Sequence, residues 1–131
     1  MKVVKRKDVE TFPIFEEISG GIIFSSDRVM FLLVEIPPRG VVPEHSHPHE
    51  QMGICLKGKA EFISGDKKVI VDEGTFYWIK PGEKHSVVSL VDEPSLFLDV
   101  FNPPREDYIE KFKKFSETSV SYTHLTLPTK A

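Results

Sequence analysis

The sequence predicts an all-β fold, a barrel or sandwich of short strands, followed by one helix. Apolar, β-branched and aromatic segments of strand length recur roughly every 8–12 residues with Gly and Pro turns between them. Helical periodicity is convincing once, late in the chain, and strands do not alternate with helices as in a parallel α/β protein.

The elements follow in order. "GGIIFSSDRVMFLLVEIPPRG" reads as two strands around Ser26 and Asp27, closed by Pro37, Pro38 and Gly40. "QMGICLKGKAEFISGDKKVIVDEG" reads as three strands with turns at Lys57-Gly58 and Gly65-Asp66. "TFYWIKPGEKHSVVSLVDEPSLFLDVF" adds three more, broken at Pro81-Gly82 and at Asp92-Glu93-Pro94. Pro103 and Pro104 then precede a helix expected over about residues 104–116, where Tyr108, Ile109, Phe112 and Phe115 recur on one face. That aromatic stripe is expected to pack on the outside of the barrel. One domain over residues 1–118 accounts for these elements. Residues 119–131, "SVSYTHLTLPTKA", are rich in Ser and Thr without an amphipathic period and are expected to be a disordered or non-native tail, His124 included.

Composition narrows the function. The chain has 131 residues, 40% of them hydrophobic, which suits one domain with a real core. Seventeen basic against 20 acidic side chains give a net charge of −3, with no basic block beyond Lys5-Arg6-Lys7, so a nucleic-acid partner is not expected. One cysteine, Cys55, rules out an internal disulfide and suits a reducing compartment. No apolar stretch follows the basic N-terminus, and "VMFLLV" is too short to span a bilayer. A soluble cytoplasmic protein with no membrane partner is expected. "FLLVEI" and "VMFLLV" are apolar on both faces, which points to a homodimer.

Three of the five histidines fall within His45–His49. His45 and His47 are two apart, so on an extended segment both rings share a face, and Gln51 keeps that parity. His85 follows the Pro81-Gly82 turn and opens another strand. Two imidazoles from one segment and a third from a neighbouring strand make a facial set with open positions, as a catalytic metal requires. His49, set off by Pro48, reads as a solvated loop residue, or as a substitute for His45 if the strand slips.

Gly40, His45, His47, Gln51 and Gly58, then Gly74, Pro81, Gly82 and His85, form a pair of motifs that resembles those of the cupins. The resemblance spans about residues 40–101. It implies a double-stranded β-helix (jelly-roll) barrel with a divalent metal in its mouth, held by His45, His47, Gln51 and His85. Gln51 stands where that family usually has a glutamate, and Ser89 where an asparagine is common. A neutral amide binds a cation less strongly but leaves it a better Lewis acid.

"LFLDVFNPPREDY" carries a second constellation. Along a strand Phe97, Asp99 and Phe101 share one face, and the other face is apolar too, so Asp99 is expected to be enclosed. A buried carboxylate needs a partner or a raised pKa. Arg105 is one candidate, in an ion pair that would pin the helix start; a metal or a substrate proton is another. The Asp-x-Phe-x3-Arg arrangement resembles the KdgF-type cupins of pectin and alginate breakdown, which linearise 4,5-unsaturated uronic acids. The resemblance implies Asp99 as general base, Phe101 as an apolar wall and Arg105 as a clamp on the anionic sugar or on Asp99. It implies no redox step, so zinc, nickel, manganese or iron could each serve. An iron-dependent dioxygenase, a sugar isomerase and a non-catalytic sugar- or metabolite-binding cupin are the alternatives.

Overall fold

The computed structural model describes residues 1–126, with side chains described through residue 118. After a 3-10 turn at Arg6–Asp8, ten strands precede one helix: β1 Thr11–Phe15, β2 Ile18–Ser25, β3 Met30–Ile36, β4 Val41–His45, β5 Glu50–Lys57, β6 Lys59–Ser64, β7 Lys67–Asp72, β8 Phe76–Ile79, β9 His85–Ser89, β10 Ser95–Asn102 and α1 Glu106–Thr126. They form a six-stranded sheet, β1-β2-β3-β10-β5-β8, and a four-stranded sheet, β4-β9-β6-β7.

The pairing is nested. β6 pairs with β7, β5 with β8, β4 with β9 and β3 with β10, all antiparallel. An antiparallel ribbon folded so that successive pairs fall in alternate sheets is the jelly roll the sequence predicts. The inward-facing residues alternate along the strands. β3 buries Met30, Leu32, Val34 and Ile36, and β10 buries Phe97, Asp99 and Phe101 on its inner face. Each fully buried large apolar side chain contributes about 1.5–3 kcal/mol of transfer free energy, so this interior holds the two sheets together.

Strands β1 and β4 were not distinguished as strands by the sequence pattern. β1 contains Pro13, which a sheet tolerates at an edge, and β1 is an edge of the larger sheet. Helix α1 packs here: Phe112 and Phe115 meet Phe12 at centroid separations of 5.3 and 6.4 Å. Lys111 adds a hydrogen bond from Nζ to the Ile14 carbonyl. The aromatic stripe does pack on the barrel as expected, but the helix starts at Glu106 and runs to Thr126, past the expected end near residue 116. The expected tail, residues 119–131, lies outside the residues whose side chains are described.

The β5–β6 turn depends on Gly58, whose φ is +98°. A Cβ there would lie 2.7 Å from Ser95 Cβ and 2.9 Å from its Cα, a backbone atom that cannot swing aside. Gly58→Ala is expected to lower unfolding free energy by about 2–4 kcal/mol, through strain and overpacking together. Denaturant titration at constant m-value measures this, and a loss under about 0.5 kcal/mol would show that the turn relaxes.

Candidate metal centre and active site

Four strand ends converge at one mouth of the barrel. His45 closes β4 and lies opposite His85, which opens β9. His47 sits in the turn between β4 and β5, and Gln51, on β5, lies opposite Phe101 on β10. Two segments far apart in sequence therefore meet because β4 and β9 are paired.

The ring centroids of His45 and His85 are 4.3 Å apart, those of His47 and His85 5.1 Å, and those of His45 and His47 5.6 Å. One ligand atom from each of the three lies within 4.8 Å of the others, so the trio could hold a metal ion. Each ring is turned by the main chain. The Nδ1 atoms bond the carbonyls of Pro43 at 2.9 Å, His49 at 3.1 Å and Glu83 at 2.7 Å. An Nδ1–H donating to a carbonyl fixes the tautomer and leaves the Nε2 lone pair for a cation. Glu83 is itself held, its carboxylate accepting from Ser64 Oγ at 2.8 Å and from the Lys80 amide at 3.0 Å.

Electrostatics favour neutral rings at His47 and His85. Burial lowers the pKa of His47 to about 4, helped by Arg105 and His85, against the bonds to His49 and Gln51. Burial lowers that of His85 too. Neutral imidazoles are what a metal binds.

Gln51 gives a direct test of fit. Its Oε1 lies 3.1 Å from His47 Nε2. With the His47 proton on Nδ1, two acceptors face each other, an arrangement that a cation between them would satisfy. The other end of the amide stabilises the Asp99 carboxylate, as an N–H donor would. The chemistry of this donor set, three imidazoles and an amide oxygen, suits a divalent first-row metal.

Asp99 is 6% exposed and lies among Phe97, Phe101 and the amide of Gln51. Burial raises its pKa to about 6, against hydrogen bonds from Tyr77 and Gln51 and the charge of Arg105. Tyr77 donates its hydroxyl to Asp99 Oδ1 at 2.6 Å. Its own pKa is pushed well up by burial and by the Asp99 charge, so it remains a donor.

Of the candidate partners for Asp99, Arg105 makes no ion pair with it. Arg105 is buried, but its Nε and Nη2 bind Asp107 at 3.0 and 2.8 Å. Arg105 stacks over Tyr108 and Phe101, with its Cζ 4.0 and 5.0 Å from the two centroids. Asp107, two residues along the chain, takes the guanidinium's hydrogen bonds, and Arg105 reaches Asp99 through its charge alone. Phe101 is fully inside, edge-on to His47 at 5.7 Å. His49 stays out of the trio and rests against His47 and Phe101.

Neither Tyr77 nor Asp107 stands out in the sequence pattern. The available signal for Tyr77 was Gly53, an isolated glycine inside a strand, which marks a close approach. His45, Gln51, His85, Asp99, Phe101 and Arg105 line one narrow cavity of about 70 Å³ inside the barrel. A vestibule of about 290 Å³ shares His45, Arg105 and Tyr108 with it. A larger open hollow of about 560 Å³ lies on the outer face of the six-stranded sheet, lined by Phe31, Met52, Phe76 and Trp78; it reaches Gly53 and Tyr77 but none of the histidines, Asp99 or Arg105.

A nested jelly roll with three imidazoles gathered at its mouth, where they could hold a metal ion, defines the class of the fold and site. The cupin domain family matches residues 32–101, and the chain belongs to that family. Within it the chain is 32% identical over 100 residues to the pectin degradation protein KdgF of Dickeya dadantii, covering 72% of this chain and 90% of that protein. It is 35% identical over 83 residues to an H2HPP isomerase of Bacillus subtilis, covering 63% of this chain but 35% of that protein's length. The solved structure of KdgF from a Halomonas species superposes with a TM-score of 0.76 at 21% identity, covering 82% of this chain and 98% of that one. The chain is thus a KdgF-like cupin. No helix among the described residues is long and apolar enough to cross a membrane.

Proposed function

We propose that this protein linearises 4,5-unsaturated uronic acids, opening the ring to the keto-deoxyuronate form, as a metal-dependent isomerase-type enzyme. The observation that carries the proposal is a buried carboxylate of raised pKa sharing one small cavity with His45 and His85, two members of the three-imidazole cluster. The similarity to a pectin degradation protein supports the substrate class.

His45, His47, His85 and Gln51 would hold the divalent ion, which supplies Lewis-acid stabilisation of negative charge on oxygen when bound. Asp99 takes the proton of the anomeric hydroxyl. As C1=O forms, the C1–O5 bond breaks and its electron pair goes to O5; a proton added at C4 then gives the C5 ketone. The sum is an isomerisation with no oxidant. An acid with a pKa of about 6 is ionised at neutral pH yet basic enough to accept a proton there. Phe101 walls the cavity against water.

Arg105 offers Nη1 to an anionic sugar, because Asp107 occupies the other edge of the guanidinium. Arg105→Lys is expected to raise KM for the uronate about tenfold, since an ammonium cannot keep both Asp107 and a planar carboxylate. Steady-state kinetics at saturating metal measure this; an unchanged KM removes Arg105 from substrate binding.

The deciding experiment is an NMR time course of unsaturated uronate with metal-loaded protein. Ring anomeric signals should disappear faster than in buffer, with no oxygen uptake. A rate equal to buffer refutes the proposal, and oxygen consumption favours a dioxygenase. A second reading, isomerisation of a different substrate, draws on the similarity to H2HPP isomerase. Faster turnover of that substrate than of the uronate would favour it.

A further inference from the structure

Three residues lie in a row across adjacent strands of the larger sheet. Tyr77 on β8 is opposite Gly53 on β5, and Gly53 is opposite Asp99 on β10. The middle position has no side chain, and the tyrosine uses the gap. A Cβ at Gly53 would lie 2.5 Å from both Tyr77 Cζ and its hydroxyl oxygen, and 2.6 Å from Asp99 Oδ1. Glycine in a strand interior weakens the strand, so a gap here has a cost that needs a compensating role.

We propose that Tyr77, reaching over Gly53, is a positioning residue for Asp99: it holds Oδ1 and leaves Oδ2 to meet the substrate proton. The inference rests on the reading of Asp99 as the base. Packing alone does not call for the hydroxyl. The Tyr77 ring lies 4.7 Å from Phe62 and 6.4 Å from Phe97, contacts that a phenylalanine would keep. The hydroxyl serves instead as donor to a carboxylate that burial has removed from water. With Gln51 it replaces part of the lost hydration and fixes the plane of the carboxylate before substrate arrives. Asp99 thus has a donor from β8 and lines the cavity that it shares with His45 and His85.

The test is Tyr77→Phe in the metal-loaded protein, with kcat, KM and bound metal measured together. kcat on the unsaturated uronate should fall about ten- to a hundredfold, the scale of a misplaced reacting group. KM and metal content should stay within about twofold of wild type, because phenylalanine keeps the ring that lines the cavity and Tyr77 is not one of the clustered imidazoles. An unchanged kcat, or a change confined to KM or metal content, overturns the proposal. The proton NMR spectrum supplies a readout independent of turnover. A hydroxyl donating to a buried carboxylate at 2.6 Å should resonate downfield of the amides in wild type and vanish in Tyr77→Phe. Its absence from wild type overturns the proposal without kinetics. If wild type leaves the uronate untouched, the substrate reading fails by itself; the resonance still supports the Tyr77–Asp99 arrangement if present and overturns it if absent.

Discussion

Asp99→Asn is expected to slow linearisation by about a hundred- to ten-thousandfold, the range removed with a general base, while bound metal stays at the wild-type level. The asparagine oxygen can still accept from Gln51 and so keeps that amide turned toward His47. The same substitution should stabilise the fold at neutral pH. The carboxyl has a pKa of about 6 in the folded protein, against an ordinary value of 3.8. Between those values the native state binds more protons than the unfolded chain, so stability falls as pH rises through the interval and remains reduced above it. A neutral side chain escapes that penalty. The gain should be roughly 1–3 kcal/mol at pH 7 and should vanish below about pH 4. Parallel denaturant titrations of the two proteins at pH 4 and pH 7 measure it. A mutant that turns over at the full rate, or that loses its metal, removes Asp99 from the role of base.

His85→Ala should weaken metal binding by more than about a hundredfold, since even the outer partners of ligands cost 10–100-fold when removed. His45→Ala should do the same. His49→Ala should leave affinity within a few-fold, because its ring lies against His47 and Phe101 outside the trio. Competition with a chromophoric chelator compares all three. If His49→Ala is as damaging as His85→Ala, the strand has slipped and His49 takes the place of His45.

Most of the barrel is legible in the sequence because its turns are chemically marked. Lys57-Gly58, Gly65-Asp66 and Pro81-Gly82 separate strands that the structure places where the punctuation puts them. β1 and β4 are harder, since Pro13 and Pro43 interrupt their alternation and it is pairing with β2 and β9 that makes them strands. The histidine cluster is legible because the two motifs fall on β4 and β9, which pair with His45 opposite His85. The partner of Asp99 is not. Chain proximity favours Arg105, but that guanidinium binds Asp107, and the hydroxyl that reaches Asp99 comes from two strands away. Pairing across a sheet depends on register, which the pattern of one strand does not contain.

All three imidazoles lean on peptide carbonyls, those of Pro43, His49 and Glu83. Every amino acid supplies such an oxygen, so the ring orientations do not depend on which side chains Pro43, His49 and Glu83 themselves carry. A scaffold anchored in this way can exchange the lining of its pocket, and with it the compound it accepts, while its cation-holding corner stays in place.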